Sequence, residues 1–350
     1  MFATFPKSRL EFERAFTAEE DCLGFLAKLR WPQGFVCPKF GKGDKFWATT
    51  RDRYVCGACR HQTSITAGTI FHRTKKPLSL WFRAIWYMTV HKHGGNALGL
   101  QRELGFSSYH TAWEWFHKLR QAMIRPGRDL LGGLVEVDET YVGGAHSGKT
   151  GRGAEGKVLV AMAVEDKGVG FGRIRMQRIP DASGESLIGF ARGHIIAGSQ
   201  IRTDGWTGYS QIGAKGFDHL VVNSKKLKDG GEDALPLCHR VISLFKRHLT
   251  HTFQGAVHFA HLDRYLEEFV FRFNRRTSRR RTLLTFRLLE GVVVHPPFPA
   301  KQIELGLGQQ PQRGRRLLSR LGGGKPRQRP PSSPLAAIPG LAASLPQISP

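Results

Sequence analysis

The sequence predicts an α/β protein in which a larger strand-and-helix domain follows a small β unit and a helical region. Three observations carry this expectation. Apolar runs of strand length at Leu134–Val137 and Lys157–Val164 alternate with helix-patterned stretches over residues 126–300. Residues 31–75 are punctuated by Gly34, Gly41, Gly43, Gly57 and Gly68 and hold three of the five cysteines. Residues 76–125 return to helical spacing between the two.

Each segment has its own justification. In residues 1–30, Leu10, Phe12, Phe16, Cys22, Leu23, Phe25, Leu26 and Leu29 recur at the spacing of one or two amphipathic helices. Residues 31–75 contain strand-like pieces, Lys45–Ala48 and Arg53–Val55, in a unit too small to stand without a staple. The staple candidates are Cys37, Cys56 and Cys59. Cys56-Gly-Ala-Cys59 is a complete C-x-x-C knuckle, whereas Cys37-Pro-Lys-Phe40 has Phe40 at its second ligand place. Zn²⁺ wants four N or S ligands, so three thiolates need a supplement, for which His61 and Asp44 are the neighbouring candidates. The other reading is a ribbon fold that persists without stable zinc. Cys22 and Cys238 stand alone and read as packing residues.

In residues 76–125, Leu98, Leu100 and Leu104 precede Gly105, and Ala112, Trp113, Phe116, Leu119 and Met123 follow Ser107-Ser108. Two amphipathic helices around a glycine turn fit a DNA-reading helix-turn-helix and also a plain packed hairpin. Residues 126–300 then give strands at 134–137, 157–164 and 172–177, a helix at 183–194, a strand at 200–203 and helices at 237–248 and 261–274. Residues 301–350 form a basic low-complexity tail, expected to be disordered: from 309 onward they hold seven Lys and Arg and no acid.

Composition narrows the function. There are 53 Lys and Arg against 28 Asp and Glu, a formal charge of +25, which favours a polyanionic partner, with nucleic acid ahead of anionic lipid. The longest apolar stretch, Leu80–Val90, is broken by Arg83, so no membrane partner is expected. The charged opening residues do not read as a secretory signal, and five scattered cysteines do not make a disulfide scaffold. A cytoplasmic location is expected.

Two acids close apolar runs: Asp138 after Leu134–Val137, and Asp204 after Ile201–Thr203. Either alone reads as a turn residue; both together in so basic a chain suggest a site for Mg²⁺ or Mn²⁺, whose ligands are carboxylates. Ligands gather at strand ends in α/β sheets, and paired metals serve phosphodiester chemistry. His239 and Lys246, seven apart, share one helix face, suited to a third ligand and a phosphate-binding cation or to an ordinary solvated face. Arg272, Arg275, Arg276, Arg279, Arg280 and Arg281 interleave with Phe269, Phe271 and Phe273. Residues 272–287 hold seven Arg and no acid, which favours phosphate contact.

The segments Arg30–Pro38, Cys59–His72, Ala97–Gly105, Val135–Gly144 and Glu268–Arg276, in this order over roughly residues 10–300, resemble bacterial insertion-sequence transposases of the ISXO-like type. The resemblance implies an N-terminal zinc ribbon, a helical DNA-binding region and an RNase-H-like catalytic domain of the DDE class. It further implies metal-dependent cleavage of double-stranded DNA at inverted-repeat ends and transfer into target DNA by a homo-oligomer at the bacterial nucleoid. By position it makes Asp138 the first catalytic carboxylate, Asp204 the second and His239 the third. The sequence departs from the family at Phe40, where the second zinc cysteine belongs, and at His239, which carries no negative charge. The alternative function is a non-catalytic DNA-binding protein descended from an inactivated transposase; a nuclease for RNA–DNA hybrids ranks below both.

Overall fold

A computed structural model describes residues 4–41, 43, 45–49, 52–125, 127–143, 157–222, 233–255 and 257–306. Asp44, Gly144 and the tail from 307 onward lie outside the described residues. In chain order the elements are α1 (Arg9–Ala15), α2 (Glu19–Arg30), β1 (Phe46–Ala48), β2 (Arg53–Cys56), β3 (Gln62–Ser64), α3 (Leu78–Val90), α4 (Ala97–Leu104), α5 (Tyr109–Ala122), β4 (Leu134–Val142), β5 (Val158–Asp166), β6 (Phe171–Ile179), α6 (Gly184–His194), β7 (Gln200–Thr203), β8 (Asp218–Val221), α7 (Pro236–Phe253), α8 (Leu262–Phe273), α9 (Thr282–Val294) and α10 (Ala300–Glu304). Contacts divide the chain into two units, residues 4–90, 100–122 and 279–306 in one and 91–99 and 123–278 in the other. The division does not follow the linear segmentation of the sequence, because α9 and α10 belong with the N-terminal helices.

The first unit joins a three-stranded antiparallel ribbon, β1-β2-β3, to a helical cluster. The charges of α2 follow its dipole, with Glu19, Glu20 and Asp21 in the first turn and Lys28 and Arg30 in the last. From that last turn the Arg30 guanidinium donates to the carbonyls of Ser64 and Ile65, tying α2 to the ribbon. Phe5, Phe12, Phe16, Phe25, Phe82 and Phe286 pack together, and the Trp81 and Trp115 rings stack at 3.5 Å. A Cβ at Gly291 of α9 would lie 2.1 Å from the Ala122 carbonyl, so only glycine permits this approach of α9 to α5. Gly105, at φ +64°, ends α4, and Phe106 packs edge-on to Trp115.

The second unit is a five-stranded mixed sheet in the order β6-β5-β4-β7-β8: the first three strands are antiparallel, while β4, β7 and β8 are parallel. Strand periodicity of two sorts its faces. Val135, Val137, Leu159, Ala161 and Ala163 pack with Leu187, Phe190 and Ala191 of α6. Val160, Met162, Val164, Ile174 and Met176 pack with Val241 and Phe245 of α7 and Tyr265 and Phe269 of α8. Both faces are covered, which is why β5 reads as an unbroken apolar run rather than an alternating one. On the outer strand β6, the Asn274 amide accepts from the Ile174 N–H at 2.8 Å and donates to its carbonyl, satisfying an edge position.

Candidate functional site

The same alternation aims the acids. With Val135 and Val137 toward α6, Glu136 and Asp138 face α7. The last register pair of β4 with parallel β7 is Glu136 with Arg202, and Asp138 and Asp204 each follow it by two residues. Sequence reading ended the first strand at Val137, but β4 runs to Val142 and Asp138 is mid-strand. The strand that ends there is its neighbour β7, at Thr203. Asp138 therefore stands at the edge of the parallel half of the sheet while remaining paired with Met162 of β5.

Asp138 is 14% exposed at its side chain and accepts from the Glu139 N–H at 2.8 Å. Burial, with the nearby negative charges of Glu139 and Asp204, pushes its carboxyl up to about 6, against the opposing amide bond and His239. Asp204 is exposed in a turn in which the Trp206 N–H donates to its carboxylate at 2.9 Å. Gly205 in that turn has φ +82°, and a Cβ there would meet Val221 at 2.8 Å. The Trp206 indole N–H donates to the Ala182 carbonyl at 3.0 Å and anchors the turn from its far side.

His239, in the first turn of α7, sets Nε2 3.6 Å from Asp138 Oδ2, while Nδ1 lies 2.7 Å from Asp233 Oδ1. Lys246 is exposed two turns further along the helix. Glu136, fully buried, fixes α7 in this pose: it accepts from the Leu237 and Cys238 N–H groups at 2.9 Å each and pairs with Arg202 at 3.3 Å. Sequence reasoning missed this residue. The clue was an N-terminus, Leu235-Pro236-Leu237-Cys238, with no capping side chain of its own. Burial raises the Glu136 carboxyl, opposed by the α7 amides and Arg202. Cys238 is buried and packs in the core, as does Cys22 in the first unit.

Among the described residues, Asp138, Asp204 and His239 do not draw their ligand atoms within 4.8 Å of one another as a set of three. Their donor chemistry suits Mg²⁺ or Mn²⁺, with two carboxylates and an imidazole that Mn²⁺ in particular accepts. Two groups do converge. His110, Glu114 and Glu304 form one on α5 and α10, where His110 and Glu304 are more than half exposed and Lys118 pairs with Glu114 at 3.6 Å; it reads as a surface ion-pair group. The other is Cys37, Cys56 and Cys59, with Cys37 Sγ 3.6 Å from Cys59 Sγ. Four sulfurs about 2.3 Å from a zinc stand roughly 3.8 Å apart in a tetrahedron, so this spacing fits the ion. The amides of Cys59 and Ala58 hold the Cys56 thiol below its ordinary range. The His61 imidazole does not join the cluster; its carbonyl accepts from the Cys56 N–H at 3.0 Å and its backbone amide bonds the Cys59 thiol.

The arginine run divides. Arg272 is a correction to the phosphate-contact expectation: its side chain is 8% exposed, its Nε donates to the buried Glu268 at 3.0 Å, and its Nη1 donates to the His91 carbonyl. Arg276 is likewise engaged inward, donating to the carbonyls of Gly172, Phe171 and Phe273 with its guanidinium 4.1 Å from the Phe273 ring centroid. Desolvation lowers its pKa. Arg275 lies over the Phe271 ring at 4.1 Å and is half-buried. Arg279 and Arg280 are exposed, and Arg281 is intermediate. A buried, paired guanidinium has no face left for a phosphate; the exposed pair does.

The ISXO2-like transposase domain matches residues 130–274, and the transposase zinc-ribbon domain matches residues 17–62. An uncharacterized protein in transposable element ISH50 of Halobacterium salinarum is 28% identical over 137 residues, which cover 37% of this chain and 44% of that protein. A chain in the cryoEM structure of the simian T-cell lymphotropic virus intasome in complex with PP2A regulatory subunit B56 gamma aligns over 55% of this chain and 71% of its own, at 13% identity and a TM-score of 0.30. Cys37, Cys56 and Cys59 lie within the matched zinc-ribbon domain and Asp138, Asp204, His239 and Lys246 within the matched ISXO2-like domain, and with both domains matched in order the chain belongs with the ISXO2-like, IS1595-type transposases.

Proposed function

We propose that the protein is a DDE-type transposase that cuts double-stranded DNA at the inverted-repeat ends of an insertion sequence and joins the freed ends to target DNA. The reading rests on one observation: Asp138 on β4 and Asp204 in the turn after β7 each follow the paired Glu136 and Arg202 by two residues, with His239 of α7 3.6 Å from Asp138. Mg²⁺ or Mn²⁺, when bound, would supply activation of the attacking oxygen and neutralisation of the leaving one. Asp138 and Asp204 would hold that cation, with His239 as third ligand. Lys246 and the exposed Arg279 and Arg280 are assigned to backbone phosphates, and the ribbon with the α4–α5 pair to the duplex ends. Two ends must be held together, so a homo-oligomer on DNA is part of the reading.

The experiment is strand cleavage and joining of labelled DNA carrying the repeats that flank the gene, with Mg²⁺ or Mn²⁺, for wild type, Asp138→Ala and Asp204→Ala. Metal-dependent products from wild type alone are expected. Binding without products from any of the three would instead favour the non-catalytic, DNA-binding descendant.

A further inference from the structure

The two knuckles of the ribbon share one backbone and differ in one side chain. In the first, the Gly41 N–H donates to the Cys37 carbonyl at 2.8 Å and Gly41 has φ +75°. In the second, the Arg60 N–H donates to the Cys56 carbonyl at 2.9 Å and Arg60 has φ +58°. A left-handed turn that glycine takes without cost is thus kept at Arg60 against it. Phe40 occupies the place that Cys59 occupies in its knuckle, and its N–H approaches Cys37 Sγ at 3.4 Å, the amide-to-sulfur contact of a metal knuckle. The Phe40 side chain offers no donor atom there and is 50% exposed. Three sulfurs are gathered within 4.8 Å, and no fourth His, Cys, Asp or Glu among the described residues joins them.

We propose that this ribbon binds one zinc ion through Cys37, Cys56 and Cys59 and leaves the fourth position, beside Phe40, to an exchangeable monodentate donor: water at rest, replaceable by an imidazole. The ribbon is then an open site in a fold whose complete knuckles would make it closed. The consequence is a labile ion, because one fewer thiolate leaves a solvent path to the metal.

The test uses the full chain. Zinc is quantified by mass spectrometry, its release to a chelator is timed, and the Co²⁺-substituted protein is titrated with free imidazole while its visible spectrum is followed, for wild type, Phe40→Cys and Phe40→Ala. Expected are one zinc per wild-type chain, a spectrum that shifts with imidazole, and thiolate-to-cobalt absorption that grows by about a third in Phe40→Cys. Phe40→Cys should also release zinc about tenfold or more slowly and ignore imidazole. Phe40→Ala should behave as wild type, which keeps the comparison valid if the cysteine variant misfolds. Two results overturn the proposal: a wild-type ribbon that holds no zinc, or a wild-type cobalt spectrum indifferent to imidazole, which would reveal a fourth ligand from the chain itself.

Discussion

The sulfur cluster and the carboxylate pair are built on opposite plans. The ribbon core contains Phe35, Cys37 and Cys56, with Trp31, Tyr54 and Cys59 against it, so half of its packing residues are the clustered cysteines. In the sheet unit, Asp138 and Asp204 rim two large cores that hold without them. The thiols come together as part of folding, whereas the carboxylates do not close with His239 as a set of three, and the charge of Asp204 opposes ionisation of Asp138. On the proposed reading, the contrast is between a metal that would complete a fold and one that a finished fold would receive. It also explains where each site is vulnerable: the ribbon at its ligands, the sheet at the elements that aim its ligands.

The sharpest way to break this comparison is at the carboxylates. Asp138→Ala and Asp204→Ala should each abolish strand cleavage, by about 10³-fold or more, while both variants remain folded and keep DNA affinity close to wild type. A variant that unfolds instead would make the acids structural. Next in size is Arg272→Ala, which strands Glu268 in the interior and should cost about 3–5 kcal/mol in denaturant unfolding. Arg280→Ala should leave stability unchanged and reduce the salt dependence of DNA binding by about one counterion.

Glu136→Ala removes the two α7 amide bonds and the Arg202 pair together, and should destabilise the sheet unit by about 2–4 kcal/mol. It should also weaken Mn²⁺ binding, because α7 carries His239. A further effect on stability has the opposite sign. Asp138 binds its proton more tightly in the fold, near pH 6, than in an unfolded chain, near pH 3.8. Its ionisation therefore opposes folding, by on the order of 2–3 kcal/mol, as pH rises through that window. In metal-free protein, Asp138→Asn should be more stable than wild type at pH 8, with the advantage shrinking below pH 6 and gone below pH 4. A constant difference across that range would remove burial as the cause.

Much of this was legible in the sequence, and the misses have physical reasons. Apolar periodicity gave β4 to β7 and α6 to α8 of the sheet unit but not the short, largely exposed β8, and two acids after apolar runs marked Asp138 and Asp204 as candidates. Periodicity in one strand carries no information about its partner's length, so Asp138 was read as a strand end when β7 was the strand that stopped. The arginine run was read as a stripe of charge, although Glu268 stands four residues before Arg272, the spacing of a helical ion pair. Glu136 looked like one more acid beside a stronger candidate, because its partners lie about a hundred residues away. The assignment of α9 to the N-terminal unit depends on the same kind of long-range contact, at Gly291 against Ala122.

Trp206 closes the turn that holds Asp204, and it is the one tryptophan of seven that falls in the sheet unit. Biosynthetic incorporation of fluorotryptophan would therefore give the sheet unit a single ¹⁹F resonance, from a ring hydrogen-bonded to Ala182 and a backbone amide bonded to the carboxylate. The arrival of a cation or a DNA end at Asp204 would be recorded as a chemical-shift change at one position, in the intact protein and without altering any residue of the site.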